Sequence, residues 1–354
     1  MLRKAAEFLK ENGNKKVLII FDTDGDGIGA ASILAKTLKK VFRKMPEAMP
    51  ANHSLSFIDE RMFQKSKKFD VIITVDAAVD EKPDYVLRLA KKANILIIDH
   101  HQINKNLNSV KNILHVNPNL WKTRFASYKY CTSKIVYDIC SRLTNIEDLN
   151  WLAGIGIVND KSEDVWKGFL ERVYKKYKIS LSKLRTVNDI ITSGYYYSGS
   201  KGVVIGYKAC LESSSPVDIL KAETANSKKL KKFYDAIERE IVLTAKNWRK
   251  NAEIIEDKKL IILKLDARFS ISSPISTKIS FEKPNYTVLV TRKNGKMTYM
   301  SLRRQDKKVN CGRVAQRAIK NLNNASGGGH IPAAGIHIMS KDWKTFRERI
   351  LDLF

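Results

Sequence analysis

The protein has 354 residues, of which 64 are Lys or Arg and 37 are Asp or Glu, so its formal net charge is +27 at pH 7. A hydrophobic content of 44% excludes a disordered basic tail. No apolar run approaches the length of about 20 residues that a membrane span needs, and no signal peptide is recognisable, so we expect a cytoplasmic protein without a membrane partner. The excess of positive charge favours a nucleic-acid partner. The alternative explanation of this charge is a genome whose base composition favours Lys.

The first hundred residues alternate short β-branched runs with helical patterns, which predicts an α/β domain with a parallel sheet. The expected strands are residues 17–21, 54–58, 71–75 and 95–98. The expected helices are residues 28–42, 83–92, 132–143 with Thr132 or Ser133 as N-cap, and 146–158.

The remainder of the chain is predicted to be helical first and mixed afterwards. Residues 165–221 have an irregular helical pattern, and a long basic helix is expected over 225–250. Beyond it we expect strands at 260–265, 286–290 and 297–302, a hairpin turn at Asn294-Gly295, a helix at 312–321 and a loop at 326–330. These patterns divide the chain into an α/β domain at 1–165, a helical connector at 166–250 and a smaller α/β domain at 251–354.

An acidic loop, Asp22-Thr23-Asp24-Gly25-Asp26-Gly27, follows the first strand. It begins like an EF-hand, but Ile33 stands where that loop needs its twelfth-position Glu, and a strand precedes it. It also fits a dinucleotide-binding turn, although its three carboxylates would repel a pyrophosphate unless a cation were bound. A carboxylate cluster that holds a divalent metal is the third interpretation, and a solvated acidic turn is the simplest alternative.

Carboxylates and imidazoles recur at the ends of later strands. Asp76 ends one predicted strand, and Asp99-His100-His101 ends another. Because the carboxyl ends of parallel strands meet at one edge, these groups should converge with the acidic loop into a site suited to Mn²⁺ or Mg²⁺. Asp160, at the end of an apolar helix, is either a further ligand or a surface residue.

These residues resemble the four motifs of the DHH phosphoesterase superfamily: Asp22-x-Asp24, Asp76, Asp99-His100-His101 and Asp160. The segment Gly327-Gly328-Gly329-His330-Ile331-Pro332-Ala333-Ala334-Gly335, with Ser301-Leu302-Arg303 upstream, resembles the type-1 DHH-associated domain. The resemblance implies a parallel-sheet DHH domain that a helical linker joins to a smaller α/β DHH-associated domain, with the active site in the cleft between them.

The resemblance also implies roles for individual residues. Two Mn²⁺ ions, or Mg²⁺ in their place, would share Asp76 as a bridging ligand. Asp99 would orient an imidazole, and His101 would face the scissile phosphate. The remaining metal ligands would be Asp22, Asp24, His100 and Asp160, and the substrate's phosphate or terminal nucleotide would be bound by Arg303, Gly327, Gly328, Gly329 and His330.

Within the superfamily, the acidic loop resembles the RecJ exonuclease branch. Leu18 and Ile20 occupy positions where pyrophosphatase and oligoribonuclease branches place a His ahead of the first Asp. We expect no oligonucleotide-binding barrel after the second domain, which favours a resemblance to the compact archaeal-type homologues, some of which bind the GINS complex. We therefore predict a Mn²⁺-dependent exonuclease that acts on single-stranded DNA or RNA. The alternatives are a phosphodiesterase for short oligonucleotides or cyclic dinucleotides, and a non-catalytic replication-helicase scaffold that binds GINS.

Overall fold

A computed structural model describes residues 1–51 and 58–354, apart from the side chain of His330. Most of the strand predicted at 54–58 lies outside these residues. The chain divides into two compact units, Met1–Tyr234 and Asp235–Phe354. None of the helices in the described ranges is long and apolar enough to cross a lipid bilayer.

The first unit is built on a parallel sheet, as the sequence predicts. Its described strands run in the spatial order β2-β1-β3-β4-β5, and every neighbouring pair is parallel. The strands are β1 (Val17–Phe21), β2 (Glu47–Pro50), β3 (Val71–Val75), β4 (Asn94–Ile98) and β5 (Ile113–Val116). β5 has no counterpart among the predicted strands.

Helices cover both faces of this sheet, which explains why β1 and β3 are buried throughout and nearly all apolar. Ile19 and Phe21 of β1 pack into the core on one face, whereas Leu18 and Ile20 pack into the core on the other. The covering helices are α1 (Leu2–Asn12), α2 (Gly25–Phe42), α3 (Glu60–Ser66), α4 (Asp84–Leu89), α5 (Thr132–Cys140) and α6 (Asn150–Asn159). Short 3₁₀ turns lie at Pro118–Leu120, Ser127–Lys129 and Glu147–Leu149.

The region after the sheet is helical. α8 and α9 form a hairpin around Gly199, and they pack on α6 and α2 respectively. The predicted long basic helix is present and extends one residue beyond its expected end. These helices are α7 (Lys167–Tyr177), α8 (Leu181–Ser198), α9 (Ser200–Glu212), α10 (Pro216–Leu220) and α11 (Ala225–Asn251).

The second unit contains a mixed sheet in the order β10-β11-β9-β8-β7-β6. A two-residue turn starting at Gly295, whose φ is 58°, joins β8 to β9 close to the predicted hairpin position. The elements are β6 (Ala252–Ile255), β7 (Leu260–Lys264), α12 (Ser272–Glu282), β8 (Thr287–Asn294), β9 (Met297–Arg303), α13 (Cys311–Ala318), β10 (Ser326–His330), β11 (Ala333–Met339), a 3₁₀ turn (Ser340–Asp342) and α14 (Trp343–Asp352).

The loop predicted at 326–330 is wrong, because this segment is strand β10. Glycine disfavours strands locally, so composition alone predicted a loop. In the structure the segment pairs antiparallel with β11 along its whole length. Long-range pairing therefore outweighs the local preference of its three glycines.

Candidate metal centre

Carboxylates follow three neighbouring strands of the first sheet at the point where each strand ends. Asp22 comes directly after β1, Asp76 after β3 and Asp99 after β4. Because these strands are adjacent and parallel, their carboxyl ends share one edge. The structure brings together at this edge all the site residues predicted in the first unit: Asp22, Asp24, Asp76, Asp99, His100, His101 and Asp160.

Several of these side chains are close enough to share a cation. Among the described residues, three groups have ligand atoms within 4.8 Å of one another: Asp22, Asp24 and Asp76; Asp76, His100 and His101; and Asp26, His100 and Asp160. Asp76 and His100 each belong to two of the groups. Oxygen ligands with one or two imidazole nitrogens suit Mn²⁺ and Mg²⁺ better than thiolate-preferring metals.

His100 is held in the tautomer that a metal ligand needs. Its Nδ1 lies 3.0 Å from the carbonyl oxygen of Tyr128, so Nδ1 carries the proton and donates it to that oxygen. In the neutral imidazole its Nε2 then has the lone pair, which faces Asp160 Oδ2 at 3.3 Å and Asp76 Oδ1 at 3.5 Å. The imidazole is nearly buried, so packing fixes this orientation.

The surroundings of Asp160 fit a bound cation. Its Oδ2 is buried and has no hydrogen-bond donor among the described residues, while the atom facing it, His100 Nε2, is also an acceptor. Two acceptors in contact require a proton or a cation between them. Burial and the charges of Asp26 and Asp24 raise the pKa of Asp160 to about 9.

Asp24 and Asp76 are also repelled by neighbouring carboxylates at positions shielded from solvent. Burial, followed by the charges of Asp22 and Asp26, raises the pKa of Asp24. Burial together with the neighbouring aspartates raises the pKa of Asp76 well above its ordinary value. A divalent cation would offset this repulsion, so the donor set fits the predicted metal.

The backbone at Asp76 is unusual. Its φ is 60°, the left-handed region that Asp tolerates better than most residues. The turn directs the carboxylate toward Thr132, whose hydroxyl donates to Asp76 Oδ1 at 3.0 Å. This strained residue lies at the centre of the carboxylate cluster. Backbone strain of this kind is commonly found at functional sites.

Asp26 has a structural role that the sequence did not reveal. Its carboxylate is fully buried and accepts hydrogen bonds from the backbone N–H groups of Thr132 at 2.6 Å and Ser133 at 2.8 Å. It therefore caps the first turn of α5 from a distant part of the chain. The predicted N-cap at Thr132 or Ser133 is wrong, because Cys131 precedes the helix and the Thr132 hydroxyl contacts Asp76 instead.

Asn159 is a second residue that sequence reasoning missed. Its amide donates to Asp24 Oδ2 at 2.7 Å and to Asp160 Oδ1 at 3.0 Å, and its Oδ1 accepts from Gly25 N at 3.3 Å. Asp24 also accepts from the N–H groups of the first turn of α2, as its N-cap. The only sequence signal for Asn159 is its place immediately before a candidate ligand.

Glycine is required where the acidic loop turns into α2. A Cβ on Gly27 would lie 2.5 Å from the carbonyl oxygen of Asp22 and 2.8 Å from its nitrogen. Any side chain at this position would push the loop away from β1. The close approach keeps Asp22 beside Asp24 and Asp76.

His101 and Asp99 form a pair at the outer side of the cluster. Asp99 is buried and accepts from His101 Nδ1 at 2.7 Å, whereas about half of the His101 side chain is exposed. Partial burial opposes protonation of His101, but the bond to Asp99 and the charges of Asp99, Asp22 and Asp160 raise its pKa to about 9. The raised pKa favours the protonated form of His101 at neutral pH, and about half of its side chain reaches solvent.

The substrate-binding residues predicted in the second unit lie on neighbouring strands. Arg303 ends β9 and pairs with Ala333 of β11, which also pairs with His330. Gly327, Gly328 and Gly329 form the middle of β10. Within this unit, strand β11 thus lies between Arg303 and the glycine segment.

Two family models match the chain. The DHH family N-terminal domain matches residues 16–157, which contain six of the seven clustered site residues, and the DHHA1 domain matches residues 257–354. Asp160 lies just outside the first match.

The chain is also similar to individual proteins. It is 26% identical over 119 residues to the single-stranded-DNA-specific exonuclease RecJ of Bacillus subtilis (strain 168), an alignment that covers 32% of this chain and 15% of that protein. The chain thus spans only a small part of this relative.

Solved structures share the fold. RecJ of Thermus thermophilus in complex with Mn²⁺ superposes with a TM-score of 0.72 at 16% identity, over 99% of this chain and 54% of that one. CDC45 of Entamoeba histolytica gives a TM-score of 0.58 at 11% identity, over 99% and 96%. The fold is therefore RecJ-like, and CDC45 shares it as well.

Proposed function

We propose that this chain, which belongs to the DHH superfamily, is a metal-dependent phosphodiesterase that removes nucleotides from one end of single-stranded DNA or RNA. The observation that carries the proposal is the convergence of carboxylates around a His100 whose Nε2 lone pair faces Asp160 and Asp76. A scaffold gains nothing from keeping several mutually repelling carboxylates buried at one edge, because their repulsion destabilises the folded state.

In this proposal the cluster holds Mn²⁺, with Mg²⁺ as the second candidate. The ligands are Asp22, Asp24, Asp76, His100 and Asp160. Divalent cations held there would lower the pKa of water and neutralise charge on a phosphate. The protonated His101, oriented by Asp99, donates a hydrogen bond to a phosphate oxygen, where negative charge increases during hydrolysis.

The second unit supplies further contacts in this proposal. Arg303, Gly327, Gly328, Gly329 and His330 bind the substrate's phosphate or terminal nucleotide, and the net charge of +27 favours polyanions generally. We assign residues 1–165 to the catalytic core, 166–250 to the helical connector and 251–354 to substrate binding. A cytoplasmic protein with GINS as a partner is compatible with this assignment.

The test is degradation of a 30-nucleotide single strand, as DNA and as RNA, labelled at either end, with Mn²⁺ and with EDTA. The Asp76→Asn variant removes a clustered carboxylate, and Asp70→Asn is its control because Asp70 is exposed at the opposite end of β3. We expect metal-dependent shortening that Asp76→Asn abolishes and Asp70→Asn retains.

Other outcomes separate the alternatives. Hydrolysis of a two-nucleotide substrate without shortening of the long strand would indicate the short-oligonucleotide phosphodiesterase. No hydrolysis of either substrate, together with capture of GINS subunits, would indicate the scaffold. Shortening that Asp76→Asn leaves intact would show that the metal site is assigned wrongly.

A further inference from the structure

The amino edge of the first sheet, where its strands begin, carries a row of lysines. Because the five described strands are parallel, the connections that lead into them meet at this edge, opposite the clustered carboxylates. We call the lysines of these connections the lysine edge. They are Lys15 and Lys16 before β1, Lys44 before β2, Lys67 and Lys68 before β3, Lys91 and Lys92 before β4, and Lys111 before β5.

These lysines are exposed and have few acidic partners. All eight residues are exposed, and Lys68 alone among them forms an ion pair with another described residue, Glu47, at 3.4 Å. Lys15 and Lys67 donate instead to neutral amide oxygens, at 2.8 and 2.6 Å. The ammonium groups other than that of Lys68 can therefore pair with an anion from outside the chain.

The fold explains only part of this charge. α1, α2, α3 and α4 each end shortly before a strand, so their C-termini lie at the same edge. A helix C-terminus carries about half a negative charge, and these four therefore offset about two of the eight positive charges. Glu47 and Asp70, which lie at this edge, offset two more. About four positive charges remain unbalanced, and a bound polyanion would relieve their mutual repulsion.

Two clefts follow the lysine edge across the sheet. The first has a volume of about 410 Å³ and is lined by Lys15, Lys91 and Lys92, with Asp70 among the other residues. The second has a volume of about 180 Å³, and Lys15 and Lys44 are among its lining residues. Lys15 therefore lies between the clefts, which together extend from the start of β2 to the start of β4. Lysine charge predominates in both clefts, so both favour anions.

The lining of these clefts suits phosphates better than bases. Single-strand sites commonly add exposed aromatic rings on which unpaired bases stack. Phe69 is the one aromatic residue among the described residues of the two clefts, and its buried ring lies beneath the ammonium groups of Lys16 and Lys68. Lysine is a flexible point charge, which contacts phosphates without selecting a sequence.

We propose that the lysine edge binds the phosphates of a double-stranded nucleic acid. Five strands about 4.8 Å apart make this edge about 19 Å long. Along that length B-form DNA presents about 11 phosphates, twice as many as one of its strands alone. A duplex therefore matches the unbalanced positive charge better than a single strand does, and it releases more counterions on binding.

The inference goes beyond the proposed function, which concerns a single-stranded end at the metal centre. Strands of five residues separate the two edges of the sheet by about 17 Å. The lysine edge is therefore a second contact, which holds a duplex region apart from the residues that would hydrolyse a nucleic acid.

The experiment measures binding in EDTA, so its result does not depend on hydrolysis. The full chain is titrated into a fluorescent DNA duplex of about 24 base pairs, and anisotropy gives the affinity at salt concentrations from about 0.05 to 0.3 M. The double variant Lys91→Gln, Lys92→Gln should weaken duplex binding by about 10- to 30-fold at about 0.15 M salt. It should also reduce the slope of log affinity against log salt by about 1.8, because each lost phosphate contact contributes about 0.9.

A matched control variant and two other probes complete the design. Lys293→Gln, Lys296→Gln removes the same charge from the exposed β8–β9 turn of the second unit, and it should leave duplex affinity nearly unchanged. Both lysine pairs are exposed, so both variants should be as stable in urea as the wild type. A single strand of the same length should lose less affinity than the duplex in the Lys91 and Lys92 variant, because it presents fewer phosphates. Polyglutamate, titrated in parallel, tests for an acidic protein partner.

The inference is overturned if the Lys91 and Lys92 variant binds the duplex as tightly as the control variant does, or if the wild type does not bind the duplex at about 0.05 M salt. It is also overturned if the single strand or polyglutamate loses as much affinity as the duplex. Hydrolysis of bis-p-nitrophenyl phosphate with Mn²⁺, measured separately, tests the proposed phosphodiesterase and should be unchanged in both variants. Failure of the duplex surface is thereby distinguished from failure of the proposed function.

Discussion

Replacing Asp160 by Asn should stabilise the metal-free protein. The change keeps the oxygen that accepts from Asn159 at 3.0 Å and substitutes an amide N–H donor for Oδ2, which has no donor of its own. That new donor faces His100 Nε2, an acceptor 3.3 Å from Oδ2. The substitution therefore supplies without proton uptake the donor that the wild-type carboxyl supplies only when it is protonated.

The size of the effect follows from the pKa of Asp160, which rises from 3.8 to about 9 on folding. Because the folded state holds the proton more tightly, this carboxyl destabilises the protein as pH rises from 3.8 toward 9. Each pH unit in this interval costs up to about 1.4 kcal/mol. The advantage of Asp160→Asn over the wild type in free energy of unfolding should thus grow by about 1–3 kcal/mol from pH 5 to pH 7.

The assay is urea unfolding followed by tryptophan fluorescence at pH 5, 7 and 8 in EDTA. Asp164→Asn is the control, because Asp164 is an exposed carboxylate outside the cluster, paired with Lys129. With Mn²⁺ the order should reverse, since only the wild type gains free energy from binding. A difference that does not grow with pH, or a variant less stable than the wild type at pH 8 in EDTA, would refute the reasoning.

Three further predictions concern other parts of the chain. In Asp99→Asn the pKa of His101, measured by NMR titration, should fall from about 9 toward 6.5. Hydrolysis at pH 8 should then slow by about tenfold or more. An unchanged pKa would contradict the pairing of His101 with Asp99. Gly27→Ala should lower the free energy of unfolding by about 1–3 kcal/mol, and it should weaken Mn²⁺ binding as measured by calorimetry. Its control is Gly168→Ala, whose Cβ meets nothing and which should stabilise α7 by about 0.5 kcal/mol. Lys134→Met should cost about 1–3 kcal/mol in urea unfolding, because it removes the ammonium partner of the half-buried Asp138 carboxylate, which then keeps only its hydrogen bond from the Tyr130 hydroxyl; near-wild-type stability would show that the ion pair contributes nothing.

Strand periodicity and strand-end chemistry determined much of this protein in advance. The buried strands at 17–21 and 71–75 could be predicted because β-branched runs are typical of a parallel sheet with both faces covered. Parallel strands end at one edge, so Asp22, Asp76 and Asp99 were expected together before any coordinates. The resemblance to the DHH superfamily favoured Asp160 as a ligand rather than a surface residue, and it implied substrate-binding roles for Arg303 and residues 327–330.

Only the tertiary structure decided how the clustered groups are held. Asp26 caps α5, and Asn159 binds Asp24, through contacts between residues more than 100 positions apart, which no local pattern encodes. The tautomer of His100 depends on the carbonyl of Tyr128 in the same way. Strand β10 forms against its local propensity because hydrogen bonds to β11 satisfy its backbone, and this pairing also lays Gly328 and Gly335 side by side. Local sequence specifies which groups reach the edge of a sheet, whereas long-range hydrogen bonds decide which atoms face one another there.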